Sequence, residues 1–260
     1  MALLRCDFYS EVLDVSAAMT VILPQAPSSA RGAHKQKSQV LYLLHGLGSD
    51  HTTWQRETSI ERYVAERDVV VIMPALHRSF YTDMPYGHRY WTYLNAELPA
   101  IVSDFFHISD AREDTFVAGL SMGGYGAFKW ALTQPQRFAG AASLSGALEV
   151  AHGPLPEDDV AMMAEIRMHY TNIDGLAGSP HDLFHLARRF ADSQGPKPRL
   201  YQWCGMDDYL YMDNVNFHEW AKSLQLDLTY EEGPGDHTWR YWDQQIQRVI
   251  EWMALRPLVQ

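Results

Sequence analysis

The sequence predicts an α/β chain, a mostly parallel sheet with helices on both faces, and three observations carry the prediction. The runs VLYLLHG (40–46), DVVVIMP (68–74) and DTFVAG (114–119) are apolar without alternation, as in strands buried on both faces. Segments with apolar residues at helical spacing lie between these runs, so strand and helix take turns along the chain. A serine among glycines, VAGLSMGGYG (117–126), sits where one such run gives way to a helix.

Taken in order, residues 8–22 (FYSEVLDVSAAMTVI) alternate enough to predict two strands joined by a turn. PQAPSSARGAHKQKSQ (24–39) is a polar connection rich in Pro, Ser and basic residues. After the strand at 40–46 a helix is expected near Thr58–Ala65, then the strand at 68–74 stopped by its proline. Leu98, Ile101, Val102, Phe105 and Phe106 fall on one helical face within 95–106, with Pro99 expected in the first turn. The strand DTFVAG, a helix over Met122–Thr133 and the strand FAGAASLSG (138–146) follow.

The rhythm breaks over 147–197, an acidic, Met- and Pro-rich stretch expected to be an insertion lying over the sheet and the site. Within it, SPHDLFHLARRF (179–190) predicts a helix start at Ser179 and Pro180. Met162, Met163 and Met168 are expected on the buried side of another insertion helix. The alternation resumes with RLYQWCG (199–205), a helix near Asp213–Leu224, LDLTYEE (226–232) and a last helix from Trp239 to Ala254. At 260 residues the whole is expected to be one domain over 1–260.

A net charge of −11 opposes phosphate backbones, so nucleic acid is not an expected partner. No run approaches the roughly 18 apolar residues of a membrane span, and none is expected to enter a membrane. Acid and base residues interrupt the first fifteen positions before an apolar targeting core could form, so the expected location is cytoplasmic. Two cysteines are too few for a disulfide framework or a cysteine metal site. His181 and His185 stand four apart without a third ligand in view; they are expected on an exposed helix face, and neither metal nor cofactor is expected.

In parallel sheets reactive groups gather at the carboxyl ends of strands. Ser121 lies there, in the strand–turn–helix setting of a G-x-S-x-G elbow; Asp207 and Asp208 follow another strand, and His237 follows the last, in the loop EGPGDHTW. A serine hydroxyl needs a base to become a nucleophile, and the base needs an orienting carboxylate. The order Ser, Asp, His, each after a strand, is that of the α/β-hydrolase fold. HGLG (45–48) follows a strand as well, so the backbone N–H groups of Leu47 and Met122 are the expected oxyanion donors. Ser143 and Ser145 lack flanking glycines and are expected to be strand-end core residues.

LYLLHGLGSDHTTW, FYTDMPYGHRYWTYLNAELP, AGLSMGGYGAFKWAL, SLSGAL, WCGMDDYLY and GDHTWRYW together resemble the esterase D superfamily, and within it the small tributyrin/acetyl esterases. The likeness runs from near residue 9 to near 252. It implies a cofactor-free serine carboxylesterase acting on small, short-chain acyl esters. It also implies that the triad carboxylate stands three residues after Gly205, which selects Asp208 over Asp207. S-formylglutathione hydrolases and feruloyl or acetylxylan esterases share the superfamily, and the glutathione enzymes usually have histidine where Tyr125 stands here. The aromatic segment 80–93 and residues near the motifs suggest pocket walls: Trp54, Tyr81, Trp91, Tyr125, Tyr209 and Trp239. A homo-oligomer is a further expectation, through the aromatic-rich insertion.

Overall fold

A computed structural model of the chain describes residues 1–25, 36–153, 158, 160–170 and 172–258; most of the polar connection at 24–39 lies outside them, as does the side chain of Met162. Eight strands form one sheet: β1 (Ala2–Ser10), β2 (Val15–Leu23), β3 (Gln39–Leu44), β4 (Val69–Pro74), β5 (Thr115–Leu120), β6 (Gly140–Leu144), β7 (Arg199–Gly205) and β8 (Leu228–Gly233). Their order across the sheet is β1-β2-β4-β3-β5-β6-β7-β8. The first two are an antiparallel hairpin, with β2 antiparallel to β4, and β3 to β8 run parallel. This is the α/β-hydrolase fold.

The unbroken apolar runs are explained by cover on both faces. Val40, Tyr42 and Leu44 of β3 join one apolar cluster, while Leu41 and Leu43 join the other. Helices α4 (Leu98–Phe105), α5 (Met122–Thr133), α7 (Leu183–Asp192) and α8 (Tyr211–Ser223) cover the first face. Helices α1 (Thr53–Glu57), α2 (Ile60–Tyr63) and α9 (Trp239–Met253) cover the second. The edge strand β1 alternates instead, as a strand with one solvated face does.

Several local expectations are corrected. The helix expected at 58–65 is two short ones, α1 and α2, separated where Thr58 is extended (φ −134°, ψ 169°). The helix around Pro99 begins earlier, as α3 (Tyr90–Thr92), and passes through a wide π turn over Tyr93–Glu97 before α4. Proline has no N–H for the carbonyl four residues back, and the wide turn just before Pro99 absorbs the mismatch.

Two helices, α6 (Val160–His169) and α7, lie between β6 and β7, in the stretch expected as an insertion. Helix α7 starts at Leu183, because the Asp182 carboxylate collects the N–H groups of Phe184 (2.9 Å) and His185 (3.2 Å). Ser179 is not the cap. Met163 is buried as expected, but Met168 is 58% exposed. His181 precedes α7 and is half-buried, so the expected exposed pair on one helix does not exist. Among the described residues no helix is long and apolar enough to cross a membrane.

Candidate active site

The elbow begins where β5 ends. Ser121 has φ 52° and ψ −121°, a left-handed conformation that costs a side-chain-bearing residue about 1–3 kcal/mol. The turn is held from three sides: Ser121 N–H donates to Leu144 C=O (2.9 Å), and its own C=O accepts from Tyr125 (3.1 Å) and Ala147 (3.2 Å) N–H. Only glycine fits beside it. A Cβ on Gly119 would lie 2.2 Å from the Gly123 carbonyl oxygen, and one on Gly123 would lie 2.4 Å from that of Leu44. The glycines therefore bring the start of α5 against the ends of β5 and β3.

His237 stands over the serine with Nε2 3.0 Å from Ser121 Oγ. Its Nδ1 lies 3.0 and 2.9 Å from the two carboxylate oxygens of Asp208. Asp207 is exposed, so the nearby carboxylate is Asp208, whose side chain is fully buried. Burial by itself would raise the Asp208 pKa. Hydrogen bonds from His237, the Leu210 N–H (2.8 Å) and the Ser145 hydroxyl outweigh it and hold the carboxyl below its usual value.

Ser145 is a part of the site that the sequence did not disclose. It lies just past β6 at φ 46°, accepts a hydrogen bond from Trp242 Nε1 (3.0 Å), and its hydroxyl adds to the stabilisation of the Asp208 carboxylate. Trp242 also meets His237 edge-on, with ring centroids 4.8 Å apart. An imidazole fixed from both sides is held in one orientation. SLSG carries no local signature of this; the link exists only because β6, β7 and α9 meet at this end of the sheet.

HGLG supplies the opposite wall. His45 is 1% exposed, and burial pulls its pKa down to about 4, so the ring is neutral. Its Nε2 accepts from Leu76 N–H (3.0 Å), which leaves Nδ1–H to donate to Gly46 C=O at 2.9 Å. Gly46 C=O and Leu47 N–H belong to one planar peptide unit, so pinning the oxygen aims the N–H the other way. Gly46 abuts the serine: a Cβ on it would lie 3.3 Å from Ser121 Cβ. Neither Leu47 N–H nor Met122 N–H has an acceptor among the described residues. Two free donors thus flank the serine, one from the loop and one from the first turn of α5.

The expected pocket aromatics divide. Tyr209 lies at the site, its ring 4.5 Å from that of His237 and 75% of the residue exposed. Trp54 is enclosed, its Nε1 bonded to Leu44 C=O (2.9 Å) and its ring against Trp239. Tyr81 and Tyr125 are wholly buried, with hydroxyls bonded to the carbonyls of His45 (2.7 Å) and His181 (3.0 Å). These three are framework rather than open wall, a correction to the sequence reading. Trp91 packs under the Lys129 ammonium and Trp239 under Trp242. No group of three or more His, Cys, Asp or Glu among the described residues could hold a metal ion.

A family model named Esterase matches residues 10–253. The chain belongs to that family. It is 30% identical over 262 residues to an acetyl esterase of Caldicellulosiruptor saccharolyticus, covering 98% of each chain. Among solved structures it is similar to FphF, a fluorophosphonate-binding serine hydrolase of Staphylococcus aureus (37% identity, TM-score 0.87, 97% of this chain and 98% of that one). It is likewise similar to the S-formylglutathione hydrolase FrmB of the same organism (37% identity, TM-score 0.84, the same coverage). The chain is a carboxylic ester hydrolase of the esterase D type, acting on small-molecule esters.

Proposed function

We propose that the chain is a serine carboxylesterase for short-chain acyl esters, working through an acyl-enzyme on Ser121. The observation that carries the reading is the unbroken line from Ser121 Oγ through both nitrogens of His237 to the buried Asp208 carboxylate. His237 Nε2 takes the hydroxyl proton as Oγ attacks the ester carbonyl, and Asp208 supports the imidazolium that forms. The carbonyl oxygen becomes an oxyanion and receives the N–H groups of Leu47 and Met122. On collapse the C–O bond to the alcohol breaks and His237 returns its proton to the departing oxygen. Water, deprotonated by the same nitrogen, then cleaves the acyl-enzyme and releases the acid. No cofactor enters any step.

Short acyl groups are favoured by the acetyl esterase relative and by the burial of Trp54, Tyr81 and Tyr125, whose polar atoms are bonded to backbone. A thioester reading has one specific support, the likeness to the staphylococcal S-formylglutathione hydrolase. The test compares kcat/KM for p-nitrophenyl acetate, butyrate and octanoate with S-formylglutathione. Ser121→Ala serves as blank and is expected to lose about a millionfold in kcat. A steep preference for acetyl and butyryl oxygen esters is expected. A hundredfold advantage for the thioester would overturn the oxygen-ester reading, and activity retained by Ser121→Ala would overturn the nucleophile.

A further inference from the structure

The nucleophile's helix carries a lysine that the reaction above does not use. Lys129 lies about two turns beyond Ser121 on α5 and is 2% exposed. Its Nζ donates to Tyr81 C=O at 2.8 Å, stands 3.3 Å from His181 Nδ1, and lies over the rings of Trp91 (4.7 Å) and Tyr125 (5.6 Å). Asp83 acts on it only through space. Taking an amine out of water without a carboxylate in contact is costly, and an apolar residue would fill such a site without that cost. The lysine therefore does something that apolar packing would not.

What it holds is Tyr81. This residue is fully buried at φ 51°, in a loop where His77 (46°) and Phe80 (47°) are left-handed too. Lys129 grips its carbonyl, and its ring lies flat on Gly126 of α5, where a Cβ would come within 2.7 Å. The far end of the side chain, the hydroxyl, donates to His45 C=O. His45 in turn pins Gly46 C=O, and with it the direction of Leu47 N–H. An uninterrupted path thus joins the helix that begins with Met122 to the loop that carries Leu47.

We propose that Lys129 and Tyr81 form a strut that sets the separation of the Leu47 and Met122 N–H groups, and so act as positioning residues for the oxyanion. The physical reason is the narrow distance range of useful donors. An oxyanion needs N–H groups at about 2.7–3.1 Å, and losing one costs about a hundred- to a thousandfold in rate. One donor is built into the elbow, while the other arrives on a separate segment that meets α5 through backbone at Gly123, and the Tyr81 path adds the side-chain tie that fixes the direction of its peptide. The inference rests on the serine-esterase reading.

The test uses Tyr81→Phe and Lys129→Met in the full chain, with active sites titrated by a fluorophosphonate. Hydrolysis of p-nitrophenyl butyrate, inhibition by a trifluoromethyl ketone that forms an oxyanion on serine, and urea unfolding are measured together. The expected result is kcat lowered about tenfold with KM within about twofold, and ketone binding weakened by the same tenfold. A purely structural role would move the unfolding midpoint and leave kcat per titrated site and ketone binding unchanged, and that result overturns the strut. If Lys129→Met does not fold, Tyr81→Phe, which removes a single oxygen, decides alone. A wild-type chain that neither hydrolyses the ester nor takes up fluorophosphonate overturns the underlying reading. An active wild type with unaffected variants overturns only the strut.

Discussion

Helices α5 and α6 are of similar length, Met122–Thr133 and Val160–His169, yet they belong to the molecule in opposite ways. Every residue of α5 from Met122 to Leu132 is buried. On α6, Val160 is 80% and Met168 58% exposed. Helix α5 contains three glycines, each costing about 0.8–1.0 kcal/mol of helix propensity relative to alanine, so packing and not propensity keeps it helical. Helix α6 is tied down by Met163, by the Arg78–Glu165 ion pair and by His169 on the Arg78 carbonyl. Chemistry that depends on tenths of an ångström sits at the end of the first helix. The second is held by a few side chains, of which Met163 and His169 are buried and Arg78 is exposed.

The sharpest way to break this contrast is to exchange single methyl groups. Gly123→Ala drives a Cβ into the carbonyl oxygens of Leu44 and His45, at 2.4 and 2.7 Å. Backbone oxygens cannot turn aside as a side chain can, so a loss of about 3 kcal/mol is expected by urea unfolding, with activity falling alongside. Ala164→Gly, on the exposed side of α6, should cost only about 1 kcal/mol and leave kcat unchanged. Equal losses from the two changes would mean that α6 is as integral to the fold as α5.

Burial on the α5 side also has a signature in pH. His45 is pulled down to about 4 by burial, and His181 to about 4 by burial and the charge of Lys129. Each native ring refuses a proton that the unfolded chain accepts, so the unfolded state binds more protons below the ordinary histidine value of about 6.5. The stability these groups contribute is full above that value and is lost as pH falls towards 4. For fully buried His45 the span of about 2.5 units corresponds to about 3 kcal/mol. Asp208, depressed in the native state, loses its contribution only at lower pH, through its own pKa, so the two effects separate. Asp213, pushed up to about 6 by burial and by Glu149, gains stability as pH falls over the same window, so the measurement uses Asp213→Asn. Urea titrations at about pH 7.5 and about pH 4.5 should then differ by roughly that amount, and a flat profile would show that the His45 ring takes up a proton without unfolding.

The smallest effect is expected at the cover. Arg78 is 57% exposed in its side chain and pairs with Glu165. Exposed pairs contribute about 0.2–1 kcal/mol, so Arg78→Ala should barely move the unfolding midpoint. Its consequence should appear in KM, because Arg78 stands beside the HGLG loop, its Nη1 3.8 Å from where a Cβ on Gly48 would lie. A kcat that falls tenfold with KM unchanged would place α6 within the chemical machinery.

The sequence alone determined the parallel sheet, the elbow and the order of the reactive groups. Each of these has a local cause: apolar runs without alternation need cover on two faces, and glycines at 119 and 123 answer clashes within a few residues of Ser121. The choice of Asp208 over Asp207 came from resemblance; in the structure Asp208 lies inward beneath His237 and Asp207 is exposed. Tertiary structure decided what depends on distant segments meeting. Ser145 reaches Asp208 and Trp242 only because β6, β7 and α9 converge, residues separated by as many as 97 positions. Trp54 and Tyr125 read as pocket walls from their closeness to motifs and Tyr81 from its aromatic segment, yet their polar atoms are bonded to backbone inside the core, since a buried hydroxyl or indole must find a partner. Nothing in the sequence around Lys129 marks it out. Its burial, and the tyrosine it holds against the loop carrying Leu47, follow from the packing of α5 against segments 48 and 52 residues away in the chain.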